Sequence, residues 1–318
     1  MTLVLAIRDA GDGWSAAEWC ERFKRELPGH AIAIHGTDPY DPKAIRYAAV
    51  WKPPQGLLAR LTKLAVMFNL GAGVDAALAD PSLPDVPLVR VVNADLTQRM
   101  TEFVTLHVLM HHRRVPLLRA SQTAKQWAPK NQWAASAVRV GIMGMGALGR
   151  DAAEVLLRLG FQVSGWSRTA KIIPGVSMFA GDAQLSAFLG QTDILVALLP
   201  LTPDTHAILN RSLLCQLARD GRLGAPVLIN AGRGGLQVEA DILSCLDDGT
   251  LGAASLDVFE SEPLPATSPL WLHPKVTVTP HNAADSDPDA IAKDIATQIR
   301  HFERGEPLRN VVDRERGY

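Results

Sequence analysis

The chain has 318 residues, 47% hydrophobic and 20% charged, a balance that suits a globular protein large enough for two cores. A net charge of −1 gives no basic field for nucleic acid, and no apolar run reaches membrane-spanning length. Cys20, Cys215 and Cys245 are scattered without metal spacing or a C-x-x-C pair, so no metal is expected and a reduced cytoplasmic setting is.

Strands are predicted over 2–7, 31–34, 45–51, 63–69 and 88–92. The first run is cut off by Arg8 and Asp9, too soon for a signal segment. Helices are expected over 15–27, stopped by Pro28-Gly29, and near 56–61. This alternation implies a small parallel α/β layer. A helix over 98–114 follows, with apolar Met100, Phe103, Val104, Leu106, Val108 and Leu109. Its end, His111-His112-Arg113-Arg114, reads as a solvated terminus with cations at the negative end of the helix dipole. The next segment carries Trp127 and Trp133 without clear periodicity; exposed, they would mark a subunit contact. Further strands are predicted over 138–143, 161–166, 193–199, 227–230, 252–258 and 276–279. The accompanying helices run from the glycine turn to about 160, over 211–219, 238–248 and 288–304.

The organising stretch is the strand over 138–143, the turn Gly144-Met145-Gly146-Ala147-Leu148-Gly149, a helix and a second strand. G-x-G-x-x-G between strand and helix is the arrangement a dinucleotide requires. Gly144 permits the tight turn, Gly146 lets backbone approach a pyrophosphate, and Gly149 lets helix and strand pack closely. The helix N-terminus offers unpaired N–H groups to phosphate. An acidic residue gripping the adenosine ribose would lie roughly 20 residues beyond the first glycine. At that place stands Trp166-Ser167-Arg168-Thr169, a guanidinium flanked by two hydroxyls, which is the chemistry of a 2′-phosphate receptor. NADPH is therefore the expected cofactor, with NADH accepted less well. A methyltransferase with a similar glycine loop is disfavoured by the same missing acid.

Arg233, Asp257 and His281 each fall just past a predicted strand end, where ligands bind in doubly wound sheets. Taken singly, Arg233 is a turn residue, Glu262 a loop acid and His281 a histidine at a strand end. Jointly they supply a cation for a carboxylate, a proton donor for a carbonyl oxygen and a carboxylate that keeps the donor protonated. Those are the needs of hydride transfer to a 2-oxo acid.

The chain resembles the D-isomer-specific 2-hydroxyacid dehydrogenases over nearly its full length. The matching pieces are Gly71-Ala72-Gly73-Val74-Asp75, the glycine turn, Asn230-Ala231-Gly232-Arg233-Gly234, Leu256-Asp257-Val258-Phe259, Glu262-Pro263-Leu264 and Thr279-Pro280-His281. Trp166-Ser167-Arg168-Thr169, Ser268-Pro269-Leu270-Trp271 and the closing Arg316-Gly317-Tyr318 resemble the NADPH-preferring glyoxylate/hydroxypyruvate reductase branch. The resemblance implies two Rossmann-like doubly wound parallel-sheet domains with the active site in the cleft between them. Residues 1–97 with 286–318 would form the substrate-binding, flavodoxin-like domain, and residues 98–285 the dinucleotide-binding domain. It implies Arg233 on the substrate, His281 as acid/base and Glu262 as its partner. Trp51 and the amides of Ala72 and Gly73 would complete the substrate contacts. Cofactor contacts are implied for Gly144, Gly146, Ala147, Leu148, Gly149, Trp166, Ser167, Arg168, Thr169, Leu199, Pro200, Ala231, Gly232 and Ala283, with Asp257 facing the nicotinamide carboxamide. A homodimer through the helix and loop before the glycine turn is implied, with no nucleic acid or membrane partner.

Two departures stand out. Gly232 replaces the family's usual Ala and is expected to loosen that turn, and the segment after His281 is unusually acidic, with Asp285 and Asp287. If those acids faced the pocket they would disfavour an anionic substrate. Two other readings are a dehydrogenase for a different 2-oxo acid and a nicotinamide-sensing corepressor. The latter is disfavoured because the chain carries no long disordered extension.

Overall fold

The computed structural model describes residues 2–8 and 14–317. Asp9, which closes the first apolar run, and Tyr318 of the closing Arg-Gly-Tyr lie outside the described residues. The chain divides into two compact units, residues 1–96 with 286–318 and residues 97–285.

In the first unit, β1 (Thr2–Ile7), β2 (Ala31–Ile34), β3 (Ile45–Trp51), β4 (Val66–Asn69) and β5 (Leu88–Val89) form one parallel sheet. Its order, β2-β1-β3-β4-β5, is that of a flavodoxin-like doubly wound sheet. Helix α1 (Ala16–Glu26) begins at a capping box: the Ser15 hydroxyl accepts from the Glu18 amide, and the Glu18 carboxylate accepts from the Ser15 amide. Trp19, Cys20 and Phe23 recur at helical spacing and are buried. A short helix α2 (Asp75–Leu78) follows β4. The C-terminal helix (Pro288–Glu303) packs against α1, where Arg300 donates to the Glu26 carbonyl at 2.8 Å. The tail then lies beside β5, with the Val312 amide donating to the Leu88 carbonyl at 2.8 Å.

Helix α3 (Ala94–His112) runs into the second unit, where α4 (Val115–Thr123) succeeds it. The sheet there comprises β6 (Arg139–Met143), β7 (Gln162–Ser167), β8 (Ser177–Ala180), β9 (Ile194–Ala197), β10 (Val227–Asn230), β11 (Ala253–Leu256) and β12 (Val276–Val278). All pairs are parallel, in the order β12-β11-β10-β9-β6-β7-β8. Read from the far edge, this is the Rossmann order with one strand added. Side-chain alternation builds two cores. Val140, Ile142, Ile194, Val196 and Ile229 join Val104 and Val108 of α3 and α5 (Ala147–Arg158) in one. Leu195, Leu228 and Leu256 join α6 (Leu185–Leu189), α7 (Arg211–Leu214) and α8 (Glu239–Asp247) in the other.

Several expectations need correction. Helix α4 falls in the stretch after the helix predicted over 98–114, where no clear periodicity announces it. Arg114 does break α3, with φ +60°, but Pro116 falls in the first turn of α4, where its missing N–H costs nothing. Strand β8, only half-buried at the sheet edge, has no apolar run to announce it. The helix over 211–219 stops at Leu214. His111 and His112 are not solvated cations: both are 6% exposed. His111 Nε2 lies 2.8 Å from the Ser255 hydroxyl, and burial pushes its pKa down to about 4, with His107 adding to the effect. No helix among the described residues is long and apolar enough to cross a membrane.

Candidate active site

The glycine turn sits at the carboxyl end of β6. Gly144 has φ +105°, a conformation open to glycine, and its amide donates to the Trp166 carbonyl at 3.0 Å, tying the turn to the end of β7. A Cβ on Gly149 would collide with the Gly144 carbonyl oxygen, so close packing of α5 demands glycine there. A Cβ on Gly146 would meet nothing within 4 Å; that position faces open space at the N-terminus of α5. An exposed helix N-terminus beside an unobstructed glycine fits a pyrophosphate.

At the end of β7, Trp166 is a core residue whose indole donates to the Gly181 carbonyl at 3.0 Å, so its side chain faces inward. The Ser167 hydroxyl donates its proton to the Thr169 carbonyl at 2.8 Å. Arg168 and Thr169 are exposed. No carboxylate occurs from Trp166 to Gly181. Leu199 is buried, and the Pro200 carbonyl accepts from the Thr205 hydroxyl at 2.7 Å, fixing the loop after β9.

Arg233 follows β10 in a turn held from beneath by two fully buried amides. Asn230 Nδ2 donates to the Arg233 carbonyl at 3.2 Å and to Gln237 Oε1 at 2.8 Å. Gln237 Nε2 donates to the Val258 carbonyl at 2.9 Å, linking this turn to the strand end after β11. Asn230 Oδ1 accepts from the Gly232 amide at 3.1 Å. Gly232 therefore does not loosen the turn. A Cβ there would stand 2.8 Å from Leu236 Cδ1 and 2.9 Å from the Leu199 carbonyl oxygen, closer than side-chain carbons sit. Gln237 was missed by sequence reasoning; its one signal is an amide inside an otherwise apolar stretch.

The third element is the pair His281 and Glu262. His281 Nδ1 lies 2.7 Å from Glu262 Oε2, and Glu262 Oε1 accepts from the Phe259 amide at 3.1 Å. With Nδ1 engaged by a carboxylate, Nε2 is the nitrogen left for proton exchange. The imidazole is 43% exposed, and His281 has φ +53°, an uncommon conformation for a non-glycine residue. Asp257 enforces it. Its carbonyl accepts from the His281 amide at 2.8 Å. Its carboxylate accepts from the Thr279 hydroxyl at 2.6 Å and from the Asn282 and Ala283 amides at 3.1 Å each. Asp257 is 1% exposed, so these bonds act in a dry setting. Asp285 lies within electrostatic reach. Its carboxyl is held above the usual range by lost hydration and by Asp257, against the pull of Arg99 and His281. Asp287 caps the C-terminal helix instead, accepting from the Asp289 amide at 3.0 Å.

In the first unit, the Trp51 ring packs so closely on Gly71 that a Cβ there would collide with it. Asn69 Nδ2 donates to the Gly71 and Gly73 carbonyls at 2.8 Å each, which shapes the loop carrying Ala72 and Gly73. Among the described residues no cluster of His, Cys, Asp and Glu could hold a metal ion.

Residues 105–283 match the model of the D-isomer specific 2-hydroxyacid dehydrogenase NAD-binding domain. The chain belongs to the D-isomer specific 2-hydroxyacid dehydrogenases. It is an oxidoreductase of that family. It is 40% identical over 311 residues to a glyoxylate/hydroxypyruvate reductase A of Serratia proteamaculans, covering 96% of this chain and 97% of the relative. A crystal structure of the NADPH-dependent glyoxylate/hydroxypyruvate reductase of Sinorhizobium meliloti with NADP and sulfate is 47% identical. It matches with a TM-score of 0.93 and covers 100% of this chain and 99% of its own. A probable 2-hydroxyacid dehydrogenase of Rhizobium etli with NADP, HEPES and L(+)-tartaric acid is 44% identical, with the same TM-score and coverage.

Proposed function

We propose that this protein reduces small 2-oxo acids, glyoxylate and hydroxypyruvate foremost, to the 2-hydroxy acids with NADPH. The observation that carries the reading is the 2.7 Å pairing of His281 Nδ1 with Glu262, which commits Nε2 to proton transfer. When bound, the reduced nicotinamide supplies the hydride. Arg233 holds the substrate carboxylate and polarises the carbonyl, and His281 donates the proton that the carbonyl oxygen needs. Glu262 fixes the tautomer and orientation of the imidazole. Trp51 and the amides of Ala72 and Gly73 are further substrate-binding groups by family membership. The dinucleotide lies along Gly144, Gly146, Ala147, Leu148 and Gly149, with Leu199, Pro200, Ala231, Gly232, Asp257 and Ala283 as further contacts. Arg168 and Thr169 take the adenosine 2′-phosphate. Ser167, with its proton on Thr169, contributes its backbone there.

The test is a panel of 2-oxo acids assayed with NADPH. Glyoxylate and hydroxypyruvate should be reduced, with pyruvate much slower. A kcat/KM for phenylpyruvate equal to or above theirs would refute the small-substrate assignment.

The same reading gives a cytoplasmic homodimer. Trp127 is 99% exposed, and Leu106, Leu117 and Leu118 are exposed apolar side chains of the same stretch. Sedimentation of Trp127→Glu with Leu117→Glu should show a monomer where the parent protein is a dimer. A monomeric parent would end the assignment.

A further inference from the structure

Beyond Arg168, a second cation stands at the end of β7. The loop leaving this strand is pinned at both ends, by the Ser167 hydroxyl on the Thr169 carbonyl and by Ile173 buried in the core. Between these anchors Lys171 is half-buried, and its Nζ donates to the Met145 carbonyl oxygen at 2.8 Å. Met145 lies between Gly144 and Gly146, and the Gly144 amide bonds the end of β7, so this ammonium bridges the glycine turn and the strand end. An ammonium has three donors, and the Met145 carbonyl takes one. Among the described residues no carboxylate pairs with Lys171, and the first acid after β7 is Asp182. A half-buried cation beside a phosphate-binding turn and without an acidic partner is arranged to meet an anion.

We propose that Lys171 is a second determinant of NADPH specificity, donating to the adenosine 2′-phosphate from beside the glycine turn. The inference rests on the NADPH reading and extends it. The end of β7 is where the ribose 2′-oxygen lies in this fold, whereas the pyrophosphate lies at the helix N-terminus. The bond to Met145 presets the ammonium, so little side-chain freedom is lost when the phosphate arrives. Lys171 thus has two separable parts, a hydrogen bond that shapes the loop and a charge that reads the phosphate.

Calorimetric titration with 2′,5′-ADP and with 5′-AMP, which differ only by the 2′-phosphate, separates them without any turnover. Lys171→Gln retains a donor for the Met145 carbonyl but removes the charge; Lys171→Arg keeps the charge. With wild-type protein, 2′,5′-ADP should bind more tightly than 5′-AMP. Lys171→Gln should raise the Kd for 2′,5′-ADP about 10-fold and leave that for 5′-AMP within about 2-fold, as for loss of one partly screened charged hydrogen bond. Lys171→Arg should recover most of the difference. Wild-type affinity in Lys171→Gln would reduce the residue to a loop tie and overturn the proposal. Equal weakening of both probes would assign its effect to the adenosine 5′-phosphate common to them and overturn it too. Absence of any wild-type preference for 2′,5′-ADP would overturn the NADPH reading and this proposal together, an outcome distinguishable from the other two.

Discussion

The Asp257 carboxylate is the group whose replacement tests the geometry around His281 most sharply. Asp257→Asn changes one oxygen to an NH2 and almost nothing in volume. In the native protein the two oxygens accept three bonds, from the Thr279 hydroxyl and from the Asn282 and Ala283 amides, at a site 1% exposed. The amide can accept through one oxygen only, and its NH2 must point at a donor. At least one buried N–H or O–H is left unsatisfied, and the surviving bonds lose their charge assistance. An unsatisfied buried donor costs about 1–3 kcal/mol, and bonds to a charged acceptor contribute about 1.5–3 kcal/mol against about 1 for neutral ones. The variant should therefore be destabilised by roughly 2–4 kcal/mol in urea unfolding, with an unchanged m-value. Because the same residue holds His281 at φ +53°, the turn should relax and kcat should fall even at saturating cofactor. A stability within about 0.5 kcal/mol of the parent would refute the claim that this carboxylate secures the turn.

Three other outcomes follow from the same structure. His281→Ala should lower kcat by on the order of 10²–10⁴-fold, the usual cost of a positioned general acid. Glu262→Gln should lower kcat, because the imidazole loses the carboxylate that fixes its tautomer at 2.7 Å; an unchanged kcat would take Glu262 out of the mechanism. The third concerns stability. His111 is buried neutral with a pKa of about 4, below its ordinary 6.5, so as pH falls through 6.5 the unfolded chain binds a proton that the folded chain refuses. Stability is full above pH 6.5 and declines from there to about pH 4, by roughly 3 kcal/mol at most from this residue. His111→Gln, which can still donate to Ser255, should flatten that decline; an identical pH slope in parent and variant would contradict it.

What the chain reveals before folding depends on how local the cause is. β6, β9 and β10 are short continuous apolar runs because both faces of the sheet are covered, and they stand out at once. The Ser15–Glu18 box is equally local, its partners three residues apart, and the glycine turn shows in its own spacing although the Gly144 amide bonds the distant Trp166 carbonyl. β8 is hidden because an edge strand needs no apolar run, and α4 because its start depends on Arg114 adopting φ +60°. His111 misleads for a different reason. Its partner Ser255 is 144 residues away, and the residues beside it are cations, so the helix end looks wet when it is packed against β11. The candidate site shares this divide. Glu262 and His281 are 19 residues apart, and family resemblance rather than spacing paired them. Gly232 resembled a weakening substitution because the Leu199 carbonyl that crowds it comes from a segment more than 30 residues away.

The central claim is NADPH-dependent reduction read from Arg168 and from the absence of an acid at the end of β7. The most direct measurement is kcat/KM for NADPH and for NADH at low salt, with hydroxypyruvate saturating, in the parent protein and in Arg168→Ala. One partly screened charged contact to the 2′-phosphate predicts about 10- to 100-fold preference for NADPH in the parent. Arg168→Ala should lose most of it through a higher KM for NADPH, with the NADH values little changed. Equal kcat/KM for the two cofactors in the parent protein would contradict the account.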